Sequence, residues 1–336
     1  MAKRRLSNQQ SRRIQNKRKH IQQSGTDLEA DTGSLASEVQ SGLVIANHGK
    51  HLIIETEQRT QIRCVARPTL ETVVSGDRVL WQAIESDPES GVVVALQARK
   101  SLLQRPGFGG KVKPVAANID RMFIITASLP ELNEGMLDRY LVSAEASDIE
   151  AIIVFNKTDL LGEAQLESYE QRLTIYRELG YKLIFTSTKR AHGMDELLAQ
   201  LRDKTSILVG QSGVGKSSLV NLLLPEETIK IGDISEANRK GGHTTTATRL
   251  YHLAQGGDLI DSPGVREFGL VQIERVALSD CYREFRQYSA NCRFRDCNHR
   301  DAKACAVIEA VQAGKITQKR YQSYLRILES LEQGNR

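Results

Sequence analysis

Hydrophobic and polar positions follow one pattern in residues 38–100 and a different one after residue 120. The first region consists of short β-rich runs broken by turn residues, without helical periods between them. These runs are 43–56, with Asn47-His48-Gly49 in the middle, 61–68, 77–85 and 91–99. Strands at this close spacing predict a small β-barrel, OB-like or SH3-like. Trp81 is an aromatic residue able to stack on a base there, but a core position is the better interpretation.

After a Pro- and Gly-rich stretch at 105–110, which we interpret as a linker within 101–120, strand runs alternate with helical runs. The predicted strands are 121–127, 151–156, 182–187 and 206–210, and the predicted helices are 135–147, 163–179, 193–202 and a run that ends near residue 224. This alternation predicts an α/β domain, in which helices cover a parallel sheet.

The strand at 206–210 leads into a phosphate-binding motif. Its spacing is G-x-x-x-x-G-K-S, and its residues are Gly210, Gln211, Ser212, Gly213, Val214, Gly215, Lys216, Ser217 and Ser218. The glycines allow backbone N–H groups and a helix N-terminus to converge on phosphate oxygens. Lys216 would place its charge at the β- and γ-phosphates, and the Ser217 hydroxyl would bind Mg²⁺. The context of strand and helix is the one that this P-loop motif requires.

A guanine-recognition motif follows the strand at 151–156. It consists of Asn156, Lys157, Thr158 and Asp159. An aspartate there accepts both N1–H and the exocyclic amine of guanine, and adenine offers neither donor. Asn156 would tie this loop to the P-loop, and Lys157 would lie along the base. Ser187, after the next strand, either backs the base or belongs to a turn that enters a helix.

Two further segments complete a GTP site, and their order is unusual. Asp261 ends a strand and begins D-S-P-G, where Asp261 would hold Mg²⁺ through water and the Gly264 N–H would sense a γ-phosphate. A cluster of three threonines at 244–246 offers a further Mg²⁺ ligand, for which we name Thr245, although Thr244 and Thr246 are equivalent candidates. The N-K-T-D motif precedes the P-loop, the reverse of the usual order, so the domain is predicted to be circularly permuted.

Charge is distributed unevenly along the 336 residues. Residues 1–20 carry eight Lys/Arg and no acid, and residues 282–336 carry eleven Lys/Arg against six Asp/Glu. Because the whole chain has a net charge of +5, the middle carries 5 − 8 − 5, or −8. Basic ends on an acidic body suggest a polyanionic partner. The chain contains no apolar run of about 18 residues and no secretory signal, so we expect a cytoplasmic protein without membrane contact.

A metal site is predicted near the C-terminus. Cys292, Cys297, His299 and Cys305 supply three thiolates and one imidazole within fourteen residues. This set suits a closed tetrahedral Zn²⁺ site of the structural kind. Cys64 and Cys281 are interpreted as ordinary buried thiols.

With these motifs, the chain resembles the circularly permuted ribosome-assembly GTPases. The resemblance rests on 156–159, 210–218, 242–246, 261–269 and the cysteine cluster, and it covers nearly the whole chain. It implies an N-terminal OB barrel, late maturation of the 30S subunit, and GTP hydrolysis to GDP that the subunit stimulates. The partners are then the 30S subunit with its 16S rRNA. Val265 occupies the position where many GTPases have the Gln that orients water, so we expect His243 to take this role once the ribosome orders its loop. The alternative is that His243 only packs or contacts RNA.

The predicted fold class is therefore α/β: a circularly permuted P-loop GTPase domain, preceded by a small OB-like β-barrel and followed by a helical zinc-binding domain. We divide the chain into a disordered basic tail at 1–35, the barrel at 36–100, the GTPase domain at 101–270 and the zinc-binding domain at 271–336. We expect a monomer. The predicted RNA-contact surface consists of Arg293, Arg295, Arg300, Lys303, Lys315, Lys319, Arg320 and Arg326.

Two other functions remain open from the residues alone. One is an RNA-binding scaffold in which the nucleotide is only a structural ligand. The other is a P-loop kinase or ATPase, and Asp159 is the residue that discriminates against it. Turnover with and without 30S particles tests the first alternative, and competition between GTP and ATP tests the second.

Overall fold

The computed structural model describes residues 35, 38–107, 112–190, 192–224, 248–261 and 275–334. The predicted basic tail lies outside the described residues except for Leu35, which forms an isolated β-bridge with Ile84. The predicted site residues His243, Thr245 and Gly264 also lie outside them.

The first five strands form a closed barrel. They are β1 (Gln40–Asn47), β2 (Leu52–Glu55), β3 (Gln61–Ala66), β4 (Arg78–Ile84) and β5 (Asp87–Leu96). Their order is β1-β2-β3-β5-β4, and β4 pairs back with β1 to close the ring. Trp81 is buried in the barrel core, where its indole packs with Ile54 and Val79 among other apolar side chains. The predicted barrel is confirmed, and so is the core position of Trp81.

The interpretation of 101–120 as a linker is wrong, because this stretch forms a hairpin. Strand β6 (Leu102–Pro106) pairs antiparallel with β7 (Val112–Ala117). Leu103 is fully buried, and the Ala117 N–H donates to the Ser75 carbonyl at 3.0 Å. Arg105 and Pro106, which suggested a linker, lie in β6 itself, and Leu103 of that strand shares a core cluster with Val115 and Ala116 of β7.

The predicted parallel sheet follows the hairpin. Its strands are β8 (Arg121–Ala127), β9 (Glu150–Asn156), β10 (Lys182–Phe185), β11 (Thr205–Gly210), β12 (Arg249–His252) and β13 (Asp258–Asp261). The spatial order is β10-β9-β8-β11-β13-β12, with β12 antiparallel to β13 and each of the other pairs parallel. At the edge, β12 pairs with β1 through Arg249 and Ala46, so barrel and sheet are continuous.

Helices cover both faces of this sheet. They are α1 (Glu134–Ala146), α2 (Glu163–Glu178), α3 (Met194–Leu201) and α4 (Lys216–Leu223). Side chains of α1 and α2 share one apolar cluster with Ile124 and Ile153, while those of α3 and α4 share another with Phe123 and Ile152. Neighbouring residues of one strand thus pack into the apolar clusters on opposite faces of the sheet, because successive side chains of a strand point to opposite faces.

The C-terminal region is helical. It contains α5 (Arg275–Asp280), α6 (Arg283–Ser289), α7 (Ala306–Gln312) and α8 (Gln318–Gly334). Its core is built around the fully buried aromatic residues Tyr282, Phe285 and Tyr324. Val142 of α1 belongs to the same cluster, so α1 packs against the sheet on one side and the helical region on the other.

Candidate functional site

The predicted nucleotide-binding segments meet at one edge of the parallel sheet. Strands β9, β10, β11 and β13 run in the same direction, and they end at Asn156, Phe185, Gly210 and Asp261. The carboxyl ends of parallel strands are where open α/β sheets bind ligands. The chain reaches this edge first with N-K-T-D and only later with the P-loop, which is the permuted order.

The P-loop has the backbone shape that the glycine spacing requires. Gly210, Gly213 and Gly215 have φ values of +144°, +84° and +99°, a region that side-chain-bearing residues rarely adopt. A Cβ on Gly215 would also collide with the side-chain amide of Asn156. Lys216 Nζ donates to the carbonyls of Gly210 and Gln211, both at 2.6 Å. The lysine ammonium is therefore held over the loop, at the start of α4.

Asn156 and Lys157 join the guanine-recognition loop to the P-loop. Asn156 Nδ2 donates to the Val214 carbonyl at 3.0 Å, and Lys157 Nζ donates to the Gly213 carbonyl at 2.5 Å. Lys157 itself has a φ of +64°, and its ammonium also donates to the Leu129 carbonyl at 2.8 Å. The loop that carries the predicted guanine-recognition motif is therefore hydrogen-bonded directly to the P-loop.

Asp159 is held by the loop after β10. Ser187 Oγ donates to Asp159 Oδ1 at 2.7 Å, and Lys189 Nζ lies 3.9 Å from Oδ2. The hydrogen bond from Ser187 is the largest influence on the pKa of Asp159, which is lowered. An ionised Asp159 is the form that accepts two hydrogen bonds from guanine.

Ser187 belongs to a turn, but that turn does not open a helix. Its hydroxyl accepts from the Arg190 N–H at 3.2 Å, and its own N–H donates to the His192 carbonyl. Helix α3 starts later, at Met194, after Gly193. The contact with Asp159 therefore distinguishes Ser187 from a simple helix-entry residue.

Two predicted magnesium ligands stand on adjacent elements. Ser217 lies in the first turn of α4, and Asp261 ends β13, the strand that pairs with the P-loop strand β11. A hydroxyl and a carboxylate are the oxygen donors that Mg²⁺ takes beside phosphate oxygens. Ser217 and Asp261 are therefore of the residue types that would hold a magnesium ion at this edge of the sheet.

The four predicted metal ligands in the helical region converge. Their ligand atoms all lie within 4.8 Å of one another. Cys292 Sγ is 3.8 Å from Cys305 Sγ and 3.6 Å from His299 Nδ1, and His299 Nδ1 is 3.4 Å from Cys305 Sγ. A tetrahedral zinc ion, with sulfur at about 2.3 Å and nitrogen at about 2.0–2.1 Å, implies edges of about 3.8 and 3.5 Å. The observed spacing fits a tetrahedral metal and no disulfide.

Neighbouring groups orient this cluster. Tyr321 Oη donates to the His299 carbonyl at 2.7 Å, and Tyr324 Oη donates to the Asn298 carbonyl at 3.0 Å. Burial raises the pKa of the Cys305 thiol to about 12. A bound metal would supply the charge that makes this buried thiol a thiolate.

Cys64 and Cys281 are both buried, and burial raises the pKa of each thiol to about 12. This environment agrees with their interpretation as inert core residues.

One predicted RNA-contact residue is buried, so that prediction is wrong for Arg320. Its side chain is 3% exposed and forms ion pairs with Asp138 of α1 and Glu284 of α6. Tyr176 Oη also donates to Asp138 at 2.9 Å. Sequence analysis missed this cluster because its residues are far apart in the chain and Arg320 lies in a helical stretch with other basic residues.

Comparison with known proteins agrees with this geometry. A sequence model of the RsgA GTPase family matches residues 96–271. A protein of Hahella chejuensis is 46% identical over 99% of this chain and 98% of its own length. It is named "Small ribosomal subunit biogenesis GTPase RsgA". The chain belongs to the RsgA GTPase family.

Solved structures agree with the RsgA assignment. YjeQ from Thermotoga maritima is 31% identical, with a TM-score of 0.69 over 88% of this chain and 99% of the other. YloQ, described as a circularly permuted GTPase, is 28% identical, with a TM-score of 0.68 over 88% of this chain and 96% of the other. The circular permutation predicted from motif order is confirmed. None of the described helices is both long and apolar enough to cross a membrane.

Proposed function

We propose that this protein binds the small (30S) ribosomal subunit and acts in its late maturation, hydrolysing GTP to GDP and phosphate with stimulation by the subunit. The observation that carries this proposal is the shared sheet edge, where guanine-type and phosphate-type loops interlock through Asn156 and Lys157. The RsgA relatives are named for small-subunit biogenesis, which supports the choice of partner.

Each predicted nucleotide-site residue has a role in this proposal. Asp159 accepts from the guanine base, and the hydrogen bond from Ser187 orients that carboxylate. Backbone N–H groups of 210–218 bind the phosphates, and Lys216 neutralises the β- and γ-oxygens. Ser217, Thr245 and Asp261 complete the surroundings of Mg²⁺, and the Gly264 N–H contacts the γ-phosphate.

Hydrolysis requires a group that orients water, and we assign this role to His243. Val265, after the D-S-P-G glycine, cannot form a hydrogen bond with water through its side chain. Intrinsic turnover is therefore slow, and the subunit accelerates it by bringing His243 to the γ-phosphate. His243→Ala should bind GTP normally and lose the stimulated turnover.

The metal of the Cys₃His cluster is proposed to be zinc, because three thiolates and an imidazole at tetrahedral spacing are its preferred structural ligands. The 16S rRNA is proposed to contact the basic residues around and beyond the cluster. These are the exposed Arg293, Arg295, Lys303, Lys315, Lys319 and Arg326, together with Arg300, which is half-buried and forms an ion pair with Glu332. The basic tail at 1–35 adds phosphate contacts. Domain limits of 36–100, 101–270 and 271–336, a monomeric state and a cytoplasmic location complete the proposal.

Base specificity tests the proposed nucleotide site directly. Xanthine carries a carbonyl where guanine carries its exocyclic amine, and an asparagine amide can donate to that carbonyl. Asp159→Asn should therefore lose affinity for GTP by at least about tenfold, the usual cost of one unsatisfied buried polar group. The same variant should gain affinity for XTP, and Lys216→Ala should weaken both nucleotides. Equal affinity of the wild type for GTP and ATP in competition would refute the guanine assignment.

The ribosomal proposal has its own test. Co-sedimentation with purified 30S and 50S subunits should show selective, nucleotide-dependent binding to 30S. GTP turnover should rise when 30S particles are added. Turnover that is the same with and without 30S would favour the scaffold alternative, in which the nucleotide is only a structural ligand.

A further inference from the structure

His252, the last residue of β12, lies between two carboxylates from different parts of the molecule. Its Nδ1 is 2.6 Å from Asp258 Oδ1 on β13, and its Nε2 is 2.8 Å from Glu55 Oε1 at the end of barrel strand β2. A neutral imidazole carries one N–H, so both carboxylates can accept from the ring only when it is protonated. The contact is therefore a charge-assisted bridge between barrel and sheet.

The surroundings favour the charged ring. Glu55 is 8% exposed, and Asp258 faces the ring from the other side. Arg59, in the turn after β2, is the cation nearby, at 3.7 Å from Glu55. The pKa of His252 is raised, first by the hydrogen bond with Asp258 and also by the charge of Glu55, against the opposing effects of burial and Arg59.

The barrel holds β12 at both ends. At its start, the Ser75 hydroxyl donates to the Thr248 carbonyl at 2.7 Å, and Arg249 pairs with Ala46 of β1. At its end, His252 is bound to Glu55. The strand is thus joined to the barrel at its first and its last residue.

Strand β12 in turn determines the position of β13. The two strands form a hairpin in which Arg249 lies opposite Asp261 and His252 lies opposite Asp258. Hairpin pairs move together, because a shift of register would turn every side chain to the other face. A displacement of β12 is therefore transmitted to Asp261.

We propose that His252 is a positioning residue: by linking Glu55 to Asp258, it holds the β12–β13 hairpin against the barrel and so sets the place of Asp261 at the nucleotide site. This inference rests on the proposed function, which assigns Asp261 to the magnesium surroundings. Because coupling between sites is reciprocal, a partner that displaces the barrel changes Mg²⁺-nucleotide binding, and the nucleotide changes barrel binding to the same degree.

Hydrogen exchange of the full-length, nucleotide-free protein tests the bridge without any turnover. Protection of the β12 and β13 amides is measured at pH 6.5 and 8.5, corrected for intrinsic exchange. In the wild type, protection should fall by about 5-fold or more at the higher pH, the lower end of typical couplings. His51 is an exposed histidine between β1 and β2, and the control variant His51→Gln should show the same pH dependence as the wild type.

Two variants separate the bridge from general destabilisation. His252→Gln should show weak protection at both pH values, because no charged ring is present. Glu55→Gln should keep strong protection at both, since a neutral imidazole can donate to Asp258 and accept from the glutamine amide. Fluorescence of Trp81, the one tryptophan of the chain, reports that the barrel stays folded in each variant. If protection of the β12 and β13 amides in either variant changed with pH as it does in the wild type, the proposed bridge would be refuted.

Magnesium dependence tests the positioning of Asp261. With GTP as substrate, His252→Gln should raise the Mg²⁺ concentration for half-maximal turnover by about 5-fold, with turnover at saturating Mg²⁺ retained. Glu55→Gln should remain close to the wild type. An unchanged Mg²⁺ requirement in His252→Gln would overturn the positioning role. If the wild type itself showed no turnover, the proposed function would fail, while the exchange measurements would still decide the bridge.

Discussion

The GTPase domain contacts the helical region through α1 and the barrel through β12, and ion pairs of different burial hold these two contacts. The helical region is joined through Arg320, whose side chain is 3% exposed between Asp138 and Glu284. The barrel is joined through His252, whose side chain is 32% exposed between Glu55 and Asp258. Removing a partner from a buried ion pair is costly, whereas a partly exposed histidine can gain or lose its charge near neutral pH.

This difference assigns the two neighbours different mechanical roles. Three ion pairs join α1 to the helical region, because Glu145 also accepts from Arg283 and Arg286. Tyr176 of α2 adds a neutral hydrogen bond to the buried cluster. We infer that the helical region is a fixed extension of the GTPase body and that the barrel is the adjustable part.

Metal removal should have the largest effect, and it should be confined to the helical region. Structural zinc contributes about 10–16 kcal/mol of apparent binding free energy in small zinc domains. Chelation of the full-length protein should therefore cause loss of helical circular dichroism. Trp81 fluorescence should stay unchanged, because this residue lies in the barrel. Helical signal that survives in demonstrably metal-free protein would show that the cluster is dispensable for folding.

Arg320→Met should cause the next largest loss of stability. The substitution leaves two buried carboxylates without their cation, and a broken buried ion pair costs about 3–5 kcal/mol. Urea unfolding followed by circular dichroism measures this loss. Arg326→Met, at an exposed position of the same helix α8, should change stability by less than about 0.5 kcal/mol.

A triple variant of the same cluster distinguishes the effect of unpaired charge from the effect of lost packing. Adding Asp138→Asn and Glu284→Gln to Arg320→Met removes the uncompensated negative charges, so part of the lost stability should return. If the triple variant is no more stable than Arg320→Met, lost packing of the arginine stem explains the effect, and the charge argument is wrong.

The sequence predicted motifs and periods well, and it predicted contacts between distant residues poorly. The P-loop, N-K-T-D and the Cys₃His cluster are local patterns, and their residue types and spacing are enough to predict their chemistry. Arg320 was misassigned because a basic helical residue looks the same in sequence whether it faces solvent or a buried carboxylate. Its partner Asp138 lies 182 positions away.

The 101–120 hairpin and the contact between His252 and Glu55 were missed for two different reasons. In the hairpin, turn residues dominated the pattern and concealed two apolar strands such as the one that buries Leu103. His252 stands alone in its segment, and its partner Glu55 is 197 positions away, so no spacing rule could have joined them. The order of the motifs revealed the circular permutation. It did not reveal that barrel strand β1 pairs with β12 at the edge of the sheet.

A smaller loss is expected from Glu145→Gln. Arg283 Nε and Arg286 Nη2 donate to this carboxylate at 2.7 and 2.5 Å, but both arginines are partly exposed. Solvent screening reduces each such pair to about 1 kcal/mol, and Glu145→Gln weakens two of them, so the expected loss is about 1–2 kcal/mol. Urea unfolding should show this decrease, and Glu329→Gln, exposed on α8, should show none. If Glu145→Gln lost as much stability as Arg320→Met, burial would not be what makes the Arg320 ion pairs stronger.

The smallest effect should be the pH dependence of the barrel interface. Because the folded-state pKa of His252 is raised, the stabilisation is complete below the unfolded value of about 6.5 and is lost as pH rises through the folded value. Partial exposure limits the stabilisation to about 1 kcal/mol. Urea unfolding followed by Trp81 fluorescence should show wild-type barrel stability decreasing from pH 6 to 8.5, relative to His252→Gln. A stability difference that stays constant, or that grows with pH, would mean that the bridge does not depend on a protonated ring, and the contrast with the buried Arg320 cluster would lose its physical basis.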